Sequence, residues 1–166
     1  MNTKVLFNQI KKKQSFLCVG LDINQDLFPD NLTDDPNKVF NFFKSIIDAT
    51  ARFCVAYKIN IAFFEAYGVE GWDCLEKITD YLNNYYPEIF TIADAKRADI
   101  GNTSKRYAKA FFDHLNFNSI TVAPYMGEDS VEPFLNYKDR YTILLALTSN
   151  RSEEHTSELQ SRQYLV

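Results

Sequence analysis

Short apolar runs recur along this chain, and each gives way to polar or charged residues before helical periodicity begins. Ser15 to Leu21 ends at Asp22, Phe53 to Ile59 carries Lys58 near its end, and Ile89 to Lys96 closes on Asp94 and Lys96. Ser119 to Ala123 runs into Pro124-Tyr125-Met126-Gly127, and Tyr141 to Leu147 into Thr148-Ser149-Asn150. Runs this short and this continuously apolar suit parallel strands covered by helices on both faces. The intervening segments read as helices. Residues 2–13 carry Val5, Leu6 and Ile10 and end in Lys11-Lys12-Lys13, which suits a helix C-terminus. Asp34-Asp35-Pro36 opens a helix with proline in its first position, followed by Val39, Phe40, Phe43, Ile46, Ile47 and Thr50 at helical spacing. Gly68 and Gly71 break the chain before a helix marked by Trp72, Leu75, Ile78 and Leu82. Tyr107, Ala108, Phe111, Phe112 and Leu115 line the next helix. Asp129 and Glu132 have capping-box spacing ahead of a buried face of Val131, Phe134 and Leu135.

This alternation predicts an α/β fold with a parallel sheet, either open and doubly wound or part of a (β/α)₈ barrel. No glycine-rich phosphate loop is present, which weakens the open nucleotide-binding sheet. Asp22, Lys58, Asp94 and Lys96 at successive strand ends fit a barrel mouth better. Asp94 and Lys96 are two apart on a strand and share a side. Asp99 follows in the loop, and Gly101-Asn102-Thr103 opens the next helix. Taken by spacing alone, Asp-x-Lys-x-x-Asp is a solvated loop, and Lys58 a strand-end lysine reaching for water. A charged pair at the end of a strand buried on both faces is costly unless paired or used, and the four residues together favour use.

Bulk properties narrow the function. The length of 166 residues suffices for one domain with a real core, and a net charge of −4 does not suggest a nucleic-acid partner. Cys18, Cys54 and Cys74 lack zinc spacing and read as buried free thiols in a reducing cytoplasm. No apolar leader or membrane-length run occurs, so a soluble cytoplasmic protein without membrane contact is expected. No ligand cluster implies a metal or an organic cofactor. Of the two histidines, His114 and His155, the second falls in a tail of different character, and His114 gives a histidine-based triad little to build on.

The character changes after Asn150. Arg151-Ser152-Glu153-Glu154-His155-Thr156-Ser157-Glu158-Leu159-Gln160-Ser161 is polar, lacks a core-facing period, and resembles the translation of a common sequencing-library adapter. Residues 151–166 are therefore expected to be a non-native tail, and His155 receives no role.

Asp94-Ala-Lys96-Arg-Ala-Asp99-Ile-Gly-Asn-Thr103 resembles the D-x-K-x-x-D-I-x-x-T signature of the orotidine 5′-phosphate decarboxylase family. Cys-Val-Gly-Leu-Asp22, Tyr-Lys58-Ile-Asn and Leu-Thr-Ser149-Asn resemble the family's first, second and fifth strand ends. Residues 121–134 are similar to the fourth β/α unit of its bacterial type 2 branch. The resemblance covers residues 1–150. It implies an incomplete (β/α)₈ TIM barrel holding roughly the first five β/α units. It also implies conversion of orotidine 5′-phosphate to UMP and carbon dioxide without a cofactor, by a homodimer in the intact parent.

By the same resemblance, Lys96 would donate a proton to C6 of the pyrimidine, and Asp94 would lie against the departing carboxylate. Asp22 and Lys58 would bind ribose hydroxyls. Asp99 would reach into the partner subunit's site, Thr103 would contact the ribose or phosphate there, and Ser149 would hydrogen-bond the pyrimidine. The family's phosphate-gripping arginine and glutamine have no counterpart, so the chain made as written is expected to lack useful turnover. Two alternatives remain: a metal-dependent sugar-phosphate decarboxylase or aldolase of the same barrel group, and a non-catalytic α/β binding module. Resequencing the source locus tests the tail. The adapter-like codons are expected to be absent from it, and their presence uninterrupted to a stop would make the tail genuine.

Overall fold

A computed structural model describes residues 3–22, 24 and 37–150. Helix α1 spans Thr3–Lys13 and leads to strand β1, Cys18–Gly20. Helix α2 is Lys38–Thr50 and β2 is Ala56–Asn60. Two helices follow, α3 at Ile61–Glu65 and α4 at Gly68–Tyr85, before β3 at Phe90–Arg97. Helix α5, Gly101–Ala108, continues as a π-helical segment, Lys109–His114. Strand β4 is Ser119–Val122, α6 is Glu128–Leu135 and β5 is Tyr141–Leu144.

The strands form a five-stranded sheet in the order β1-β2-β3-β4-β5, and each pairs in parallel with its neighbour in sequence. A doubly wound sheet reverses its strand order at a switch point, whereas a barrel adds strands in sequence. The observed order therefore decides for the barrel type. The core lies between sheet and helices, with Phe43, Tyr57, Phe64, Phe111, Phe112, Phe117 and Phe134 fully buried. All four residues of β4 are buried, while β1 and β5, the outer strands, are the more open.

Several expectations change. Four of the five strands are shorter than their apolar runs, whereas β3 keeps its length and is displaced by one residue, to Phe90–Arg97. Phe53 lies in a turn, half exposed, rather than in β2, because β2 starts only at Ala56. Cys18 is exposed on the outer strand, against the expected burial, whereas Cys54 is buried. The helix start at Asp34-Asp35-Pro36 lies outside the described residues, as does the 151–166 tail. Asp129 does not cap α6. Gly127, at φ 105°, precedes the helix, no side chain caps it, and Asp129 sits in its first turn. Leu135 faces solvent, and Ser130, Val131, Pro133 and Phe134 form the buried face instead.

Gly68 breaks the chain between α3 and α4 as expected, whereas Gly71 lies inside α4. Gly68 has φ +58°, a left-handed conformation that glycine adopts without steric cost, and it turns the chain from α3 into α4. Gly71 lets the two helices touch, because a Cβ there would lie 1.8 Å from the backbone carbonyl oxygen of Phe64. Gly71→Ala is expected to destabilise the protein by about 3 kcal/mol through this overlap. The urea unfolding midpoint reads the loss, and an unchanged midpoint would show that α3 and α4 can separate freely.

Candidate active site

The charged residues converge at the carboxyl ends of β1, β2 and β3. Asp22 follows β1, Lys58 lies in β2, and Asp94 and Lys96 lie in β3. Parallel pairing sets Gly20 beside Lys58 and Asn60 beside Asp94, so the strand ends stand in register. Lys96 Nζ donates to Asp94 Oδ1 at 2.6 Å, and Lys58 Nζ donates to Asp94 Oδ2 at 3.2 Å. Lys58 Nζ also lies 3.9 Å from Asp22 Oδ2. The result is an alternating row, Asp22–Lys58–Asp94–Lys96, running across three strands.

Each member is held by its surroundings. The backbone N–H of Asn60 donates to Asp22 Oδ1 at 3.1 Å, and the Leu21 N–H donates to the Lys58 carbonyl at 2.9 Å. Asn60 accepts from the Ala62 N–H through its own side chain, and so starts α3 at the end of β2. The Asp94 side chain is only 12% exposed, against 50% for Lys96, so the carboxylate is the buried partner and the ammonium reaches outward. Burial pushes the Asp94 carboxyl upward, but hydrogen bonds and charge from Lys96 and Lys58 outweigh it and hold it below its ordinary value.

Strict pleat alternation is not what brings Asp94 and Lys96 together. The register between β3 and β4 shifts between Ala93 and Arg97, so β3 bulges there. Lys96 sits in that bulge with φ 49°, the left-handed region that a lysine seldom adopts. The Lys96 N–H donates to Thr121 Oγ1 at 2.9 Å, and the Thr121 hydroxyl donates to Asp94 Oδ1 at 3.1 Å. Beyond the bulge, Arg97 donates to the Ala95 carbonyl, pairs with Glu65 of α3 and lies over the rings of Tyr107 and Phe111.

Three expected site residues stand apart from this row. Asp99 Oδ1 accepts from the Ile100 N–H at 2.7 Å, Thr103 lies in the first turn of α5, and Ser149 is exposed beyond β5. The sequence reading overlooked Thr121, Asn60 and the Arg97–Glu65 pair. A hydroxyl between Ile120 and Val122 in a buried strand was the available signal for Thr121. Nothing in the sequence marked the bulge that makes this hydroxyl matter. Among the described residues no group of three His, Cys, Asp or Glu side chains converges as a metal site. Among the same residues no helix is long and apolar enough to cross a membrane.

Parallel β/α units added in sequence, with an ion-pair row across the carboxyl ends of the strands, define a protein of the (β/α)-barrel class. More narrowly, the chain belongs to the orotidine 5′-phosphate decarboxylase / HUMPS family, whose model matches residues 15–166. It is 63% identical over 150 residues to an orotidine 5′-phosphate decarboxylase of Christiangramia forsetii, covering 90% of this chain and 55% of that protein. It is 58% identical over 151 residues to the enzyme of the same name from Bacteroides fragilis, covering 91% of this chain and 55% of that one. The structure of Leishmania donovani OMP decarboxylase superimposes with a TM-score of 0.74 at 36% identity, over 90% of this chain and 56% of that one. The chain thus spans about half the length of the curated relatives it matches.

The Asp94 environment predicts a pH dependence. Its carboxyl is depressed in the folded state, so the unfolded chain takes up the proton first as pH falls. The stabilisation is present above the unfolded carboxylate value and is lost as pH falls through the folded one. Urea unfolding across an acid pH series is expected to show this loss in the native protein and not in Asp94→Asn. Parallel curves for the two would refute it.

Proposed function

We propose that residues 1–150 supply the proton-donating half of an orotidine 5′-phosphate decarboxylase, which releases carbon dioxide and forms UMP. The observation that carries this reading is the Lys96 ammonium held 2.6 Å from a mostly buried Asp94 carboxylate, with Lys58 on the other oxygen. Breaking the bond between C6 and the carboxylate leaves the electron pair on C6, where no adjacent carbonyl can accept it. Catalysis must stabilise charge that exists mainly in the transition state. An ammonium beside C6 does this electrostatically and then delivers its proton to the same carbon. Asp94 faces the departing carboxylate and anchors Lys96, while Asp22 and Lys58 take the ribose hydroxyls.

Asp99 and Thr103 act in the site of a second copy, and Ser149 meets the pyrimidine. Ile100, beside Asp99, is 62% exposed, which suits a surface that another subunit covers. The protein serves pyrimidine nucleotide synthesis in the cytoplasm, and residues 151–166 take no part in it.

The test uses a full-length protein carrying residues 1–150 and follows UMP formation from orotidine 5′-phosphate at saturation. Lys96→Ala is expected to lower kcat by about 10⁴-fold, since one group provides both charge and proton. Near-normal turnover would remove Lys96 from its role.

A further inference from the structure

Strand β4 is buried along its whole length and carries two hydroxyl side chains, Ser119 and Thr121. Ser119 is satisfied by the neighbouring backbone, donating to the Thr91 carbonyl at 3.2 Å. Thr121 instead reaches the charged row. Its hydroxyl is 7% exposed by residue and has one proton to donate and lone pairs to accept with. The proton goes to Asp94 Oδ1, because an ionised carboxylate can only accept, and a lone pair takes the Lys96 N–H.

This places Thr121 where the regular ladder fails. The β3–β4 pairing is in register at Ile92 with Ser119 and at Ala93 with Ile120, then shifts. It resumes where the Ala123 N–H donates to the Arg97 carbonyl at 3.0 Å. Within the gap, the Thr121 hydroxyl replaces the backbone acceptor that a flat strand would offer Lys96. It therefore holds the left-handed Lys96 backbone and the carboxylate that receives the Lys96 ammonium with one oxygen atom. Lys96 Nζ and Thr121 Oγ1 share Asp94 Oδ1, so the three groups form a closed ring of contacts.

We infer that Thr121 is a positioning residue of the decarboxylation site, whose hydroxyl fixes Lys96 and Asp94 relative to each other across the β3 bulge. The inference rests on the reading of Lys96 as the proton donor. Thr121→Val keeps the shape and removes both hydrogen bonds, leaving the Lys96 N–H without its acceptor. Thr121→Ser keeps the hydroxyl.

In a full-length protein carrying residues 1–150, Thr121→Val is expected to lower kcat by about 100-fold while KM stays within about threefold, since a small misplacement of the proton donor acts on the transition state. Thr121→Ser is expected to stay within about threefold in kcat. The acid limb of kcat/KM should move to higher pH in Thr121→Val, because Asp94 loses a donor to its charged form. Equal turnover in Thr121→Val, an equal loss in Thr121→Ser, or a change confined to KM would overturn the inference. Amide hydrogen exchange at Lys96, read by NMR on the same proteins, separates this from the functional reading. Thr121→Val should accelerate it by about tenfold or more and Thr121→Ser should not. If the unsubstituted protein does not decarboxylate orotidine 5′-phosphate, the proposed function fails while the exchange data still judge Thr121. Unchanged protection in Thr121→Val sinks the positioning role. Should that variant not fold, lost protection in Thr121→Ser does the same.

Discussion

A single carboxylate, that of Asp94, stands between two ammonium groups brought in from neighbouring strands. Without it, Lys58 and Lys96 would face each other as like charges at the rim of a sheet whose interior is apolar. With it, each ammonium has an acceptor, and Asp22 continues the alternation on the far side. Burying a carboxylate to this degree is costly unless its oxygens are filled. Asp94 meets that condition with three donors: Lys96 and Thr121 on Oδ1, and Lys58 on Oδ2. The strands must keep their register for this to hold, so the site and the sheet constrain each other.

The local backbone is adapted to the same end. A left-handed non-glycine residue carries a steric cost of about 1–2 kcal/mol. Lys96 adopts that conformation where its N–H and its ammonium both find partners on the Thr121–Asp94 pair. Arg97, one residue on, anchors the far side of the bulge to α3 and to the aromatic face of the following helix. α3 itself fits only because Gly71 lets α4 lie against its backbone. Through the Arg97–Glu65 pair, the helix that packs on Gly71 of α4 is also tied to the end of β3.

The four residues of the row were legible in the sequence because charged residues at the ends of apolar runs stand out, although the bulge, not the strand period, brings Lys96 to Asp94. Asp99, Thr103 and Ser149 were legible only through the family resemblance, and the structure sets them outside the ion-pair row. Other features were not local. Apolar runs overstate strands, since Phe53 and Leu147 continue the pattern without joining the ladder. Gly71, expected as a chain break, is a contact point between α3 and α4. Spacing of Asp129 and Glu132 suggested a cap, but α6 starts after Gly127, two residues earlier than that cap requires.

The alternation of strands and helices, the parallel sheet and the set of ionisable side chains at the strand ends are all encoded locally along the chain. Those properties depend on residue spacing and on the burial of apolar side chains, both written along the chain. The bulge in β3, the handedness of Lys96 and the contacts of Thr121 arise only once the strands are packed. Each depends on the offset between two strands distant in sequence, and that offset is set by how helices and sheet pack, not by any residue's own preference.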